Sequence, residues 1–201
     1  MIDKLLRVPK EYVLTPLAAA LRPVHPNVIT VAACGLGLAC GLAAAQGMAG
    51  LAIGLWAVNR VLDGLDGTLA RMHNKQSDFG AYLDIVLDHL VYAAVPLGLA
   101  IAAGTTGVYL ALAGLLISFY VNGATWMYLA ALLEKRARGA TASGEMTSVT
   151  MPGGLIEGAE TVVFYTLFLL FPGILGPLFW LMAALTLLTA TQRVVWAARH
   201  L

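Results

Sequence analysis

Charge is what this sequence has least of. Only 11% of its 201 residues are Asp, Glu, Lys or Arg, while 60% are hydrophobic and the mean hydropathy is +0.82. Soluble domains carry about a quarter charged residues, so this composition belongs to a polytopic membrane protein. Net charge is +1, which leaves no basic excess for nucleic acid. Cysteine is nearly absent too. Cys34 and Cys40 share one apolar segment. Six residues along a helix turn two side chains to different sides, which argues against a disulfide. No Cys/His spacing suits zinc. Neither an internal repeat nor a low-complexity tract occurs, and the length suits one domain over residues 1–201 rather than two.

What is present is a series of long apolar stretches. They run over 27–46, 50–72, 80–103, 107–133, 155–171 and 175–198. Each is near the ~20 residues that a transmembrane helix needs. Turn residues separate them: Gln46-Gly47, Gly104-Thr105-Thr106-Gly107, Pro152-Gly153-Gly154 and Pro172-Gly173. The expected fold is an all-α membrane protein with a six-helix bundle over 27–198. Residues 1–22 mix Lys and Arg with Leu and Val, and prolines interrupt them, so an amphipathic segment lying at the interface is expected there. Spread-out charges argue against a cleaved signal peptide.

Basic residues orient the bundle. Lys4, Arg7, Lys10, Arg22, Arg71, Lys75, Lys135, Arg136, Arg138, Arg193 and Arg199 fall on one side, and the opposite loops contain no Lys or Arg. The positive-inside rule then places both termini in the cytoplasm. A sizeable polar loop is expected over 134–151.

The acids of the second and third stretches stand out against this apolar background. Asp63 and Asp66 are three apart, and Asp84 and Asp88 four apart, so each pair shares one helix face. A short loop joins the two helices, and the four carboxylates can converge near the cytoplasmic end of one hairpin. Like charges so placed repel, and divalent cations reverse the balance. Oxygen ligands alone favour hard ions, Mg²⁺ or Mn²⁺. One or two ions fit; a pair about 4 Å apart recurs in displacement at phosphorus. Arg71 stands where it can clamp a phosphate. Gly67 and Gly80 share faces with the acids, leaving room for a ligand or for close helix packing.

These residues read D-x2-D-G-x2-A-R-x8-G-x3-D-x3-D, through Asp63, Asp66, Gly67, Ala70, Arg71, Gly80, Asp84 and Asp88. The pattern resembles the signature of the CDP-alcohol phosphotransferase (phosphatidyltransferase) family, position for position. The six-stretch layout, the N-terminal segment and "HPNVIT" at 25–30 are also similar to that family. The resemblance implies transfer of a phosphatidyl group from a CDP-alcohol, usually CDP-diacylglycerol, to an acceptor hydroxyl with release of CMP, in phospholipid synthesis. It implies that Asp63, Asp66 and Asp84 hold the metals, and that Asp88 completes the metal site and acts as general base. Gly67, Ala70, Arg71, Ser77 and Gly80 would surround the CDP donor, with Asn27 and Thr30 lining the nucleotide pocket. For Asn27 an N-cap is an equal alternative. The resemblance further implies a homodimer in the cell's inner (plasma) membrane, with its active site facing the cytoplasm.

The acceptor is less defined. Asn122, Glu157, Glu160 and Arg193 are polar groups in or at apolar stretches, where ionisable residues are functional candidates. The acids can instead pair with Arg60 or Arg193. Two other readings compete. One is a family member using a soluble CDP-alcohol or a polyol acceptor. The other is a cation transporter whose aspartates line an ion path; the missing repeat and the gathering of acids at one membrane face count against it.

Overall fold

The computed structural model describes residues 14–136 and 153–201, and no strand occurs among them. Residues 14–20 are helical. Six longer helices follow: α1 (Pro26–Ala45), α2 (Ala49–Met72), α3 (Asp78–Ala103), α4 (Thr106–Lys135), α5 (Gly158–Leu170) and α6 (Leu175–His200). A 3-10 turn, Pro172–Ile174, precedes α6. Each helix falls on one of the six expected stretches, with ends within three residues.

Four of these are long and apolar enough to cross a membrane: α1, α3, α4 and the run Pro172–His200. Two of the six expected stretches fall outside that group. α5 has only 13 residues, and α2 carries Arg60, Asp63, Asp66 and Arg71 within its 24. Large apolar side chains such as Val28, Leu42, Leu110 and Ile117 are exposed on the bundle's outside. Such extensive apolar surface is what lipid contact requires.

Turn chemistry ends the helices where the sequence places it. Gly104 closes α3 at φ 62, a left-handed conformation that favours glycine. Thr105 then caps α4, its hydroxyl accepting from Val108 N at 3.4 Å. α4 extends to Lys135, so the expected loop over 134–151 starts later; its remainder, with Arg138, lies outside the described residues. The same holds for most of the expected interfacial segment. Of its described part, Leu14 and Ala18 are buried against Ile29, Leu65 and Leu69.

Packing divides the bundle. α1 lies along both α2 and α3, while α4 lies along α6, and α5 touches α2, α3 and α6. The α1–α3 crossing is close because both helices present glycine: a Cβ on Gly98 would fall on the Gly41 carbonyl. α5 ties the halves together through aromatics. Tyr165 stacks on Trp56 at 5.5 Å, and Phe168 meets Phe179 of α6 edge-on at 4.8 Å. The Trp56 indole also donates to Thr166 Oγ1 at 3.0 Å.

Candidate metal and substrate site

α2 and α3 are joined by residues 73–77, short enough to make them an antiparallel hairpin. Asn74 takes a left-handed φ of 52 in that turn. Lys75 fastens it, its Nζ donating to the carbonyls of Arg22 (2.6 Å) and Val24 (3.1 Å). His73 is half-buried against the Ala18 carbonyl at 3.2 Å. Ser77 starts α3, its hydroxyl accepting from Gly80 N at 3.1 Å.

The hairpin brings three of the four aspartates together. Carboxylate oxygens of Asp63, Asp84 and Asp88 lie within 4.8 Å of one another, and all three residues are partly buried. The donor set is all oxygen, and a cation between carboxylates this close offsets their repulsion, so the cluster fits a hard divalent ion. Asp66 stands apart. It is buried and accepts from Thr30 Oγ1 at 2.6 Å and from Gly67 N at 2.6 Å. Asp63, Asp84 and Asp88 also line a small cavity with Thr30, Ala33, Cys34 and Asn59.

Several donor-side candidates meet at the ends of α1 and α3. A Cβ on Gly80 would sit 3.1 Å from both Asn27 Oδ1 and Ser77 Oγ, so Gly80 leaves room for those two groups. Asn27 is not the N-cap of α1. His25 is, its Nδ1 accepting from Asn27 N at 3.3 Å, which leaves the Asn27 side chain to face Gly80. Over Gly67 lies the Arg71 guanidinium, 3.2 Å from where a Cβ would be. Ala70 is half-buried on the same turn, and its carbonyl accepts from Lys75 N at 2.9 Å.

The acceptor candidates gather elsewhere. Arg193 is buried in α6, and its Nη1 donates to Asn122 Oδ1 of α4 at 2.6 Å. Glu157 lies beside this pair: its Oε1 accepts from Gly154 N at 3.0 Å, and a Cβ on Gly154 would be 3.6 Å from Arg193 Nη2. The Glu160 carboxylate turns back to Glu157 N at 3.2 Å, satisfying a donor at the start of α5.

Sequence reasoning counted Arg60 only as a basic residue and a possible partner for Glu157 or Glu160. The structure puts it instead between the acids of the hairpin, with Nη1 3.5 Å from Asp63 Oδ2 and Nη2 3.5 Å from Asp88 Oδ1. Its place three residues before Asp63, on the same helix face, was the available signal.

The chain is similar to known proteins in sequence and in fold. A family model described as CDP-alcohol phosphatidyltransferase matches residues 23–196. The inner membrane protein YnjF of Escherichia coli is 39% identical over 139 residues, which cover 68% of this chain and 65% of that protein. A bifunctional IPC transferase and DIPP synthase of Rubrobacter xylanophilus is 32% identical over 142 residues, 68% of this chain and 32% of that protein. The match thus spans less than two thirds of either relative. Crystal structures of Mycobacterium tuberculosis phosphatidylinositol phosphate synthase (PgsA1) share the fold at 24% identity. One, with CDP-DAG bound, has a TM-score of 0.70 and covers 92% of each chain. Another, in complex with manganese and citrate, has a TM-score of 0.69 and covers 91% of this chain and 88% of that one. With the family model matched along nearly its whole length and its exposed apolar helices, this chain belongs to the CDP-alcohol phosphatidyltransferase family as a multi-pass membrane protein.

Proposed function

We propose that this protein transfers a phosphatidyl group from CDP-diacylglycerol to the hydroxyl of an acceptor alcohol and releases CMP. The observation that carries the reading is the convergence of Asp63, Asp84 and Asp88 beside Asp66, Arg71 and Gly67 on one helical hairpin. In the reaction, the acceptor oxygen forms a bond to the phosphorus that bears diacylglycerol. The bond from that phosphorus to the bridging oxygen breaks, and CMP leaves with the electron pair. Asp88 takes the acceptor's proton; a general base so placed contributes roughly 10²–10⁴-fold. Asp63, Asp66, Asp84 and Asp88 would hold one or two Mg²⁺ or Mn²⁺ ions, which neutralise phosphate charge when bound. Asp66, held by Thr30 and Gly67, would join them through its remaining lone pairs. Arg71 would contact the donor phosphates, and Asn27, Thr30, Ala70, Ser77 and Gly80 would line the nucleotide side. Asn122 and Arg193, with Glu157 beside them, are the candidate acceptor contacts. Glu160 serves the start of α5 and orients Glu157.

The distribution of Lys and Arg supports six crossings, both termini and the site in the cytoplasm, and residues 1–22 resting on the membrane surface. Such a site keeps the acyl tails in lipid while the CDP head meets the acids. A homodimer in the inner membrane completes this reading; mass measurement in nanodiscs tests the dimer.

The deciding experiment offers labelled CDP-diacylglycerol and a panel of acceptor alcohols to the purified protein in nanodiscs, with and without Mg²⁺ or Mn²⁺. Metal-dependent CMP release and a new phosphodiester lipid identified by mass spectrometry are expected. The Rubrobacter relative's name specifies no phosphatidyl product, so one arm uses a soluble CDP-alcohol. CMP release in that arm alone would replace the lipid donor with a soluble one, and no CMP release in any arm would defeat the reading.

A further inference from the structure

Arg60 has surroundings built to hold it without help from the acids. Its Nε donates to Asn59 Oδ1 at 2.7 Å and its Nη1 to the Tyr92 hydroxyl at 3.1 Å. The guanidinium carbon lies 4.6 Å from the Trp56 ring centroid and 5.5 Å from that of Tyr92, within cation–π range of both. The holders are themselves fixed. Asn59, 1% exposed, donates to the Ala33 carbonyl of α1 at 2.7 Å. The Tyr92 ring meets the edge of Tyr165 at 5.3 Å, and the Tyr92 carbonyl accepts from the Tyr165 hydroxyl. Neutral groups from α2 and α3, braced by α1 and α5, therefore set where the positive charge sits.

The acids approach that charge without being clasped by it. Asp63 and Asp88 stand at 3.5 Å, well beyond the ~2.7–2.9 Å of a close charge-assisted bond. We infer that Arg60 is a positioning residue. It spans α2 and α3, holding the Asp63 and Asp88 carboxylates in register so that a divalent ion and the acceptor proton meet them already aligned. It also cancels one of the three carboxylate charges, and so weakens ion binding while it aligns the ligands. Turnover and ion affinity then move in opposite directions when it is removed, which a residue that merely supports the fold would not cause.

The kinetic half of this inference rests on the proposed transfer reaction. The ion-binding half does not, because Mn²⁺ binding is read from the paramagnetic resonance of free Mn²⁺ without any donor. Wild type, Arg60→Met and Arg60→Lys are purified in nanodiscs and their melting is recorded. In Arg60→Met the Mn²⁺ Kd should fall about threefold or more, because a nearby positive charge is gone. Its kcat for CMP release should fall roughly tenfold or more with the donor KM within about twofold, as expected when orientation rather than binding is lost. Arg60→Lys keeps the charge but not the two-armed fork. Its Mn²⁺ Kd should stay within about twofold of wild type and its kcat should fall about threefold or more. Unchanged or weaker Mn²⁺ binding in a folded Arg60→Met would overturn the inference, and so would wild-type kcat. Should Arg60→Met not fold, Arg60→Lys decides alone, and wild-type kcat there refutes the positioning role. A wild-type protein that releases no CMP defeats the function reading, and the Mn²⁺ comparison still decides the role of Arg60.

Discussion

On the α1–α3 side, the clustered acids come from two helices joined by five residues, 73–77. On the α4–α6 side, Asn122 and Arg193 are 71 residues apart, and Glu157 enters from a third segment. The first cluster has acid oxygens crowded together with one guanidinium nearby. The second pairs a buried cation with an amide oxygen at 2.6 Å. A cluster of like charges is unfavourable until a ligand supplies the opposite charge, whereas a paired arginine is satisfied as it stands. The difference teaches that the hairpin is a cluster that could hold an ion, while the α4–α6 pair already meets its own needs.

Perturbing each side separates these roles. Asp88→Asn should have the largest effect, lowering CMP release roughly 10³-fold while leaving some donor binding; single-turnover CMP release and donor binding check both. Rates near wild type would refute the base assignment. Gly98→Val comes next, because its side chain would fall on the Gly41 carbonyl. A loss of about 3 kcal/mol or failure to fold is expected, read from thermal melting. Asn122→Leu strips the buried Arg193 of an acceptor and should cost about 2 kcal/mol. If the pair also meets the acceptor alcohol, acceptor KM rises roughly tenfold with donor KM unchanged. A stability loss without that rise would leave the α4–α6 side purely structural. Glu160→Gln should be mildest, about 0.5 kcal/mol from a weaker bond at the start of α5.

Much of the α1–α3 side was legible because its information is local. Spacings of three and four residues put each acid pair on a face, and Gly67, Arg71 and Gly80 sit within the same 26 residues. All six helices were legible from the length of their apolar runs. The candidate-span status of α2 was not, since the charges that make it interesting also lower its hydropathy. The place of Arg60 among the hairpin acids was hidden for a different reason. Its partners Tyr92 and Asp88 lie about thirty residues on, and periodicity says which residues share a face but not which helix that face meets. The Thr30–Asp66 bond was hidden likewise, as was His25 standing where Asn27 might have capped. On the α4–α6 side, local pattern named Asn122 and Arg193 but could not join them.

α1 contributes no carboxylate, yet both acid-bearing helices rest on it. It therefore works as a gauge, its thickness at Gly37 bearing on how far α2 and α3 stand apart. At Gly37 an added methyl would meet Val91 of α3 at 2.5 Å and Asn59 of α2 at 3.1 Å. Gly37→Ala should wedge the two apart and tilt ionic preference away from the small Mg²⁺, with metal–oxygen distances of about 2.0–2.1 Å, toward Ca²⁺ at about 2.3–2.6 Å. Competition between those two ions in the purified variant would register a change of radius made by a residue that touches neither.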